Sequence, residues 1–325
     1  MVIKDFQYDT NNDQKVFCHA KINLKDINLE VQACSFSGSK DGKTRKPNED
    51  ALSLLNLNDS IIAAVFDGSS SLKPIKSLKD QTGARFASHF LKETLEKGNK
   101  EFKVKEILRA LNKKLLLKTL TFEGASLNDI HTLPASTATL VQLFPNSKLL
   151  QISHVGDSFC MIVFKDGHSE FVTIDRNKKY DDEILHKMKR ISDEKHISPR
   201  KARQDPKIVQ ALIDMFQDSF NKPDGTGQGL ITGDPNAVQY FQDISFSFEN
   251  VQSILLGTDG LIPLAYDEQK KVERQKIFQI INENGLEGLI KKKVELENND
   301  PDWHLLRYKH SDDATGIFIQ INSSE

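Results

Sequence analysis

Two groups of short β-type runs, separated by helical stretches, constrain the fold of this chain more than any other feature of its sequence. Short, apolar and β-branched runs of this kind are typical of strands. The predicted strands are Val31–Phe36, Ala51–Leu57, Ser60–Phe66, Ser136–Phe144, Leu149–Val155, Phe159–Phe164, Glu170–Ile174, Ser253–Gly257 and Thr315–Ile321. Because the strands cluster instead of alternating one by one with helices, the pattern favours an α+β fold with packed sheets over a parallel βαβ array.

Helical spacing of apolar residues marks the intervening stretches. The predicted helices lie between Ile75 and Leu95, at Val104–Leu117, at Lys207–Phe220, and around Arg274–Glu283 and Leu286–Leu296. The chain has no internal repeat, low-complexity tract or linker rich in proline, glycine and serine. We therefore expect residues 1–325 to form a single domain.

The segment Asp175–Gly229 differs from the rest of the chain because it is polar and rich in charge. Its basic centre, KMKRISDEKHISPRKAR, fits either a solvated helix face or a mobile subdomain beside an active site. Outside Lys207–Phe220 it shows little apolar periodicity, so we expect few buried contacts to hold it.

Composition excludes several classes of protein. A net charge of −2 gives no strong field toward nucleic acid or an anionic membrane. No apolar run approaches the roughly 18 residues of a transmembrane helix, and the first residues, MVIKDFQYDTNND, lack the apolar core of a signal peptide. Cys18, Cys34 and Cys160 are widely spaced and form no CxxC pair, which predicts free thiols and a cytoplasmic location.

Two of the five Asp-Gly dipeptides stand out from the turns that such dipeptides usually mark. Asp67 ends the apolar run that begins at Ile61, and Asp259 ends the run from Ile254 to Thr258. A carboxylate at the end of a buried strand is costly unless it is paired or bound to metal. The glycine that follows each aspartate is expected to let the backbone turn sharply and let a carbonyl approach a ligand closely.

Further acidic residues occur beside other predicted strands. Glu49 and Asp50 precede the strand Ala51–Leu57, Asp312 precedes Thr315–Ile321, and Asp157 follows Leu149–Val155. Carboxylates gathered at one edge of a core would repel one another, and hard cations such as Mg²⁺ or Mn²⁺ relieve that repulsion with all-oxygen ligands. The sequence offers no cluster of histidine and cysteine for a zinc site of the usual kind.

These motifs, in this order, resemble the metal-dependent protein phosphatases, the type 2C serine/threonine phosphatases, and in particular their bacterial branch. The resemblance is carried by RKPNEDA (45–51), VFDG (65–68), ASTA (135–138), VGDS (155–158), GTDGL (257–261) and DDAT (312–315). It spans about Val31 to Ile321. The implied fold is a β-sandwich of two antiparallel sheets flanked by helices on both faces, a four-layer αββα arrangement.

The resemblance also implies a role for individual residues. Asp67 would bridge two Mn²⁺ or Mg²⁺ ions. Glu49 and the carbonyl of Gly68 would attend one ion, and Asp259 and Asp312 the other.

Three further residues have implied roles near those ions. Asp50 would be an additional acid at the metal site, and Asp157 together with Asp259 would hold a possible third ion. Arg45 would bind the phosphate group. The segment Asp175–Gly229 would correspond to the family's flap.

The sequence departs from the family at several positions. Ser69-Ser70-Ser71 follow Asp67-Gly68 where relatives carry His-Gly or Met-Gly-Gly, which removes a histidine general acid. The family's glycine, arginine and asparagine are replaced at Ala135, Phe159 and Asp313.

The implied function is hydrolysis of phosphoserine and phosphothreonine on proteins by a metal-activated water, in a cytoplasmic monomer without nucleic-acid or membrane partners. No Cys-x5-Arg motif for a phosphocysteine route is present. Two alternatives remain open: an inactive pseudophosphatase that acts as a binding module, and a hydrolase of small phosphoesters.

Overall fold

Antiparallel strands form the centre of the structure. The computed structural model describes residues 15–24, 27–69, 75–79, 81–98, 104–127, 129–264 and 271–323. The N-terminal stretch examined for a signal peptide, and Ser70 and Ser71 of the serine run, lie outside these residues. The strands are β1 (Lys15–Leu24), β2 (Ile27–Phe36), β3 (Ala51–Asn56), β4 (Ile61–Ser69), β5 (Ala135–Phe144), β6 (Leu149–Val155), β7 (Phe159–Phe164), β8 (Ser169–Phe171), β9 (Gln242–Ser247), β10 (Val251–Gly257) and β11 (Ala314–Ser323).

The strands form two sheets. One is 6-stranded in the order β1-β2-β11-β10-β7-β8, and the other is 5-stranded in the order β3-β4-β5-β6-β9. Neighbouring strands are antiparallel throughout both sheets. The sequence did not predict β1 or β9, which lie at the outer edges of the two sheets.

Strand β4 shows why the central strands read as continuous apolar runs. Ile61, Ala63 and Val65 enter the core between the two sheets, whereas Ile62 and Phe66 enter the core between this sheet and its helices. Successive side chains of a strand point to opposite faces, so a strand covered on both faces needs apolar residues at every position.

Helices cover the outer faces of both sheets. They are α1 (Gly83–Lys97), α2 (Val104–Thr119), α3 (Lys178–Lys195), α4 (Pro199–Ala202), α5 (Pro206–Ser219) and α6 (Lys271–Asn298). Helices α1 and α2 pack on the β3–β9 sheet, and α6 packs on the other sheet. The predicted α+β sandwich with helices on both faces is therefore confirmed.

Two helix boundaries differ from the sequence prediction. The stretch predicted from Ile75 becomes helical only at Gly83, where the side chain of Thr82 caps α1 by accepting a hydrogen bond from the Arg85 N–H. The two helices predicted near the C-terminus form one element, α6, whose backbone is non-helical at Gly285 with φ at 67°.

The segment Asp175–Gly229 contains α3, α4 and α5 and has a small hydrophobic core of its own. Ile184, Met188 and Ile191 of α3 pack with Ala202 and Ile208. The expectation that few buried contacts hold this segment is therefore wrong for its helices. We call residues 175–229 the flap segment from here on.

The remaining global predictions concern thiols and membranes. Among the described residues, no disulfide bond joins Cys18, Cys34 or Cys160, as the sequence predicts. Among the described helices, none has both the length and the apolarity needed to cross a bilayer.

Candidate functional site

The ends of strands from both sheets meet at one edge of the sandwich. Asp67 lies near the end of β4, Asp157 lies between β6 and β7, Asp259 follows β10, and Asp312 precedes β11. All four side chains line one cavity of about 610 Å³. The structure thus gathers four of the predicted site residues from distant parts of the chain.

Gly68 lies in the strand and not in a turn. Strand β4 continues to Ser69, with Asp67 opposite Thr137 and Gly68 opposite Ser136 of β5, so the predicted sharp turn is wrong. A Cβ atom on Gly68 would lie 2.5 Å from the carbonyl oxygen of Glu49. Glycine is needed here because the backbones approach closely.

Glu49 and Asp50 are buried directly before β3, and hydrogen bonds hold their side chains in place. Thr82 Oγ1 donates to Glu49 Oε1 at 2.6 Å, and Thr258 Oγ1 donates to Asp50 Oδ2 at 2.8 Å. Asp313 accepts from the backbone N–H groups of Gly38, at 2.6 Å, and Glu49, at 2.9 Å. The Asp313 carboxylate therefore ties the segment before β3 to the segment before β11.

Burial and mutual repulsion shift the pKa values of the carboxylates of the site. Burial raises the pKa of Asp67 well above its ordinary range, and the charges of Asp50 and Asp259 raise it further. Burial raises the pKa of Asp50, and the neighbouring Asp313 and Asp312 add to the shift.

The two aspartates on the other side of the cavity shift in the same direction. Asp259 is open to the cavity, but the surrounding protein limits its hydration and, with Asp312, raises its pKa to about 7. Burial and the charge of Asp175 raise the pKa of Asp157 to about 6. Shifts of this kind cluster at functional sites because charges are concentrated there.

Two lysines carry positive charge into this group. Lys46 forms ion pairs with Glu49 and, at 3.1 Å, with Asp313, and Lys309 forms an ion pair with Asp312. Burial alone would raise the pKa of Asp312, but Lys309 outweighs it and lowers that pKa. Both lysines line the cavity.

Arg45, the predicted phosphate-binding residue, is not among the residues that line the cavity. Its guanidinium carbon lies 4.1 Å from the ring centroid of Phe36, and its Nη1 atom donates to the Ser37 carbonyl at 3.5 Å. Lys46, the next residue in the sequence, lines the cavity.

The donor set fits a hard divalent cation better than a soft one, because it consists of carboxylates with lysines nearby and contains no thiolate. The buried Oδ1 atom of Asp157 has no hydrogen-bond partner within the described part of the chain, which leaves an oxygen available to a ligand. Among the described residues, however, no three acidic, histidine or cysteine side chains stand close enough together to enclose an ion as they are placed.

Sequence reasoning missed several side chains of the cavity wall, among them Lys46, Asp181, Arg203, Tyr308 and Lys309. Tyr308 donates a hydrogen bond to the backbone carbonyl of Asp181 at 2.9 Å and so links the approach to β11 with the flap segment. Neither periodicity nor any motif marks Asp181, Arg203, Tyr308 and Lys309. Only the position of Lys46, beside a predicted phosphate-binding residue, offered a signal.

Solved structures share this architecture at low sequence identity. A bacterial serine phosphatase matches with a TM-score of 0.51 and 17% identity, over 91% of this chain and 99% of that chain. The serine/threonine phosphatase Stp1 from Staphylococcus aureus matches with a TM-score of 0.51 and 16% identity, over 90% of this chain and 95% of that chain. At this identity the likeness shows the fold.

No curated protein matches the chain significantly. The family model described as protein phosphatase 2C matches residues 37–294. That range includes Glu49, Asp67, Asp157 and Asp259, all strands of the 5-stranded sheet, and β7, β8 and β10 of the other sheet. The chain belongs to the protein phosphatase 2C family.

Proposed function

We propose that this chain hydrolyses phosphoserine and phosphothreonine on proteins in a metal-dependent reaction. The observation that carries the proposal is the convergence of Asp67, Asp157, Asp259 and Asp312 on one cavity. The carboxylates of such a group repel one another unless cations are bound. Membership of the protein phosphatase 2C family suggests that the bound cations take part in phosphate hydrolysis. The proposed setting is a cytoplasmic monomer consisting of one domain with the flap segment as an insertion.

Each residue of the site has a proposed task. Asp67, with Glu49 and the Gly68 carbonyl on one side and Asp259 and Asp312 on the other, would hold two Mn²⁺ or Mg²⁺ ions. Bound divalent ions lower the pKa of water and stabilise charge on a transferring phosphoryl group.

The surrounding residues have supporting tasks. Asp50 keeps its place behind the ligands through its hydrogen bond from Thr258. Asp157 would contribute to a third ion through its unpartnered oxygen. Lys46 offers a positive charge to the phosphate at the cavity, and Ser69 lines the same wall. A serine hydroxyl is a poor general acid near neutral pH, so solvent is the proposed source of the leaving-group proton.

The direct test is phosphate release from a phosphothreonine peptide with added Mn²⁺, followed by EDTA. We expect release that depends on Mn²⁺ and stops with EDTA. A small aryl phosphate assayed in parallel separates a protein phosphatase from a hydrolase of small phosphoesters. No release from either substrate with Mn²⁺ or Mg²⁺ present would contradict the proposal.

One observation favours a second candidate, a binding module without turnover. Lys46 and Lys309 already pair with Glu49, Asp313 and Asp312, so part of the negative charge is neutralised without a metal. Such a module would bind the phosphothreonine peptide in the presence of Mn²⁺ but release no phosphate. The same assay, combined with a binding measurement, distinguishes the two candidates.

A further inference from the structure

Helix α5 of the flap segment has two apolar faces. Ile208, Ala211, Leu212 and Met215 pack into the core of the flap segment. A second stripe, defined by Val209, Ile213 and Phe216 of α5 and by Phe220 directly after it, lines the cavity that holds the site aspartates. Leu212 and Met215 lie between the two faces and line that cavity as well.

Val209, Ile213 and Phe216 follow helical spacing along α5, at intervals of four and three residues, and Phe220 directly follows the last residue of the helix. Its Val209 side chain is 41% exposed, and the rings of Phe216 and Phe220 lie 4.9 Å apart. A surface helix normally buries one apolar face and exposes a polar one. The second stripe instead places apolar side chains in the same cavity as the carboxylates of the site.

Arg203 stands at the same wall. It lines the cavity, and burial lowers the pKa of its guanidinium. Its buried Nε atom has no hydrogen-bond partner among the described residues. A buried donor without a partner is costly, and a charged guanidinium more so. An anionic group entering the cavity would satisfy it.

We propose that Arg203 and the stripe of Val209, Ile213, Phe216 and Phe220 form a subsite for the peptide around the phosphorylated residue. This inference rests on the proposed function. The stripe packs against an aliphatic or aromatic side chain of the peptide, and Arg203 pairs with an acidic side chain of the same peptide.

The dimensions favour a peptide over a small phosphoester. From residue 209 to residue 220 the helical rise amounts to roughly 16 Å, at about 1.5 Å per residue. An extended peptide advances about 3.4 Å per residue, so the stripe spans about four to five residues of substrate. The subsite and the site aspartates share one cavity, so one bound peptide would reach both.

The experiment measures binding by fluorescence anisotropy and needs no turnover. The probes are a labelled phosphothreonine peptide with a neighbouring leucine and glutamate, the same peptide with leucine replaced by alanine, and the same peptide with glutamate replaced by glutamine. All chains carry Asp67→Asn and are measured with Mn²⁺, so that the peptide stays intact. Comparing the peptides within each chain cancels any general weakening of phosphate binding.

The proposal predicts two preferences in the parent chain. Leucine is favoured over alanine by roughly tenfold, because burying it removes apolar surface from water. Glutamate is favoured over glutamine by roughly tenfold, because a charged hydrogen bond forms. Phe216→Ala and the milder Val209→Ala reduce only the first preference, and Arg203→Gln reduces only the second. The matched controls Val272→Ala on α6 and Arg190→Gln on α3 leave both preferences unchanged.

Three outcomes would overturn the subsite. One is equal affinity for the three peptides. Another is a preference that survives in every folded variant. The third is an effect of Phe216→Ala on self-association in sedimentation without any effect on peptide preference, which would assign the stripe to a second copy of the chain. Because binding is measured without hydrolysis, failure of the proposed reaction leaves this test valid. A chain that hydrolyses the peptide but shows no preference would overturn the subsite alone.

Discussion

At the scale of single residues, charge balance shapes the site as much as the carboxylates do. Lys46 bridges Glu49 and Asp313, the residue that stands where relatives carry asparagine. An acidic side chain at 313 would add repulsion to an already acidic edge, and Lys46 offsets that repulsion. Asp313, a departure from the family, therefore pairs with a lysine that lies 267 positions earlier in the sequence (313 − 46).

The first prediction concerns Asp67. Asp67→Asn removes one charge from the centre of the carboxylate group while keeping the size of the side chain. We expect metal-dependent phosphate release to fall by more than roughly 100-fold, since even partners outside the ligand set change metal affinity or activity 10- to 100-fold. Calorimetric Mn²⁺ titration should show weakened binding, and circular dichroism an intact fold. Near wild-type turnover with saturating metal would contradict the assignment.

The second prediction compares two neighbouring cations. Lys46→Ala should weaken competitive inhibition by inorganic phosphate more than Arg45→Ala does, because Lys46 lines the cavity while Arg45 stacks on Phe36. The measurement is the inhibition constant of phosphate for each variant at fixed Mn²⁺. A larger effect at Arg45 would support the arginine assigned by family resemblance and would mean that Arg45 turns toward the cavity when phosphate binds.

At the scale of elements, the sequence predicted strands that are buried on both faces more completely than helices whose apolar residues face two different surroundings. The continuous apolar run Ile61–Phe66 allows only a doubly covered strand or a buried helix, and its shortness decides between them. By contrast, α5 distributes apolar residues between a small core and a cavity. The sequence pattern identified the helix but gave no means of assigning its two apolar faces.

The flap segment shows a second limit of sequence reasoning. Ile184, Met188 and Ile191 recur at intervals of four and three residues among many charged residues. That weak stripe becomes a core only because α4 and α5 fold back against it. Composition alone therefore underestimated the buried contacts of this segment.

The third prediction tests the stability of the flap segment. Met188 is fully buried, so Met188→Ala should cost about 2–5 kcal/mol of local stability. We expect faster amide hydrogen exchange throughout α3 and α5, with the amides of β4 and β10 unchanged. The exposed Glu183→Ala on the same helix is the control. In the natural chain we still expect faster exchange in the flap segment than at Ile61–Phe66 and Ser253–Gly257. Equal exchange rates in all these elements of the natural chain, or an equal increase in all of them in Met188→Ala, would show that they unfold as one cooperative unit.

At the scale of the whole molecule, the clustered strands predicted an α+β fold with packed sheets, and the family resemblance implied the sandwich with helices on both faces. The resemblance also named Asp67, Asp157, Asp259 and Asp312, which the structure brings to one cavity; their roles as ligands stay a prediction. The sequence could not predict the lysine partners of the carboxylates or the position of Arg45. Nor could it predict that the buried Arg203 Nε atom has no partner among the described residues. These features depend on side-chain directions and on contacts between residues far apart in sequence, which periodicity does not report.

The last prediction concerns His154, which lies in the centre of the molecule. It is fully buried on β6 and, by alternation, shares a face with Leu150 and Ile152 in the core between the sheets. Its Nδ1 atom lies 2.9 Å from Thr139 Oγ1, and its Nε2 atom has no hydrogen-bond partner among the described residues. Burial lowers the pKa of this imidazole to about 4, so the folded state holds it neutral.

The sign of the resulting pH dependence follows from linkage. Between pH 6.5 and 4 the unfolded chain binds a proton at His154 that the folded chain does not, so the free energy of unfolding decreases as pH falls. From pH 7 to pH 5 the loss should be about 2 kcal/mol. Asp50, Asp67, Asp157 and Asp259 act in the opposite direction, because their raised pKa values favour the folded state at low pH. The measurement is therefore a difference: urea unfolding of the natural chain and of His154→Gln at pH 7 and pH 5, both in EDTA. The natural chain should lose about 2 kcal/mol more than the variant on acidification. If the free energy of unfolding fell equally in the two chains, the pKa of His154 would not be lowered by burial, and its imidazole would be hydrated or paired in solution.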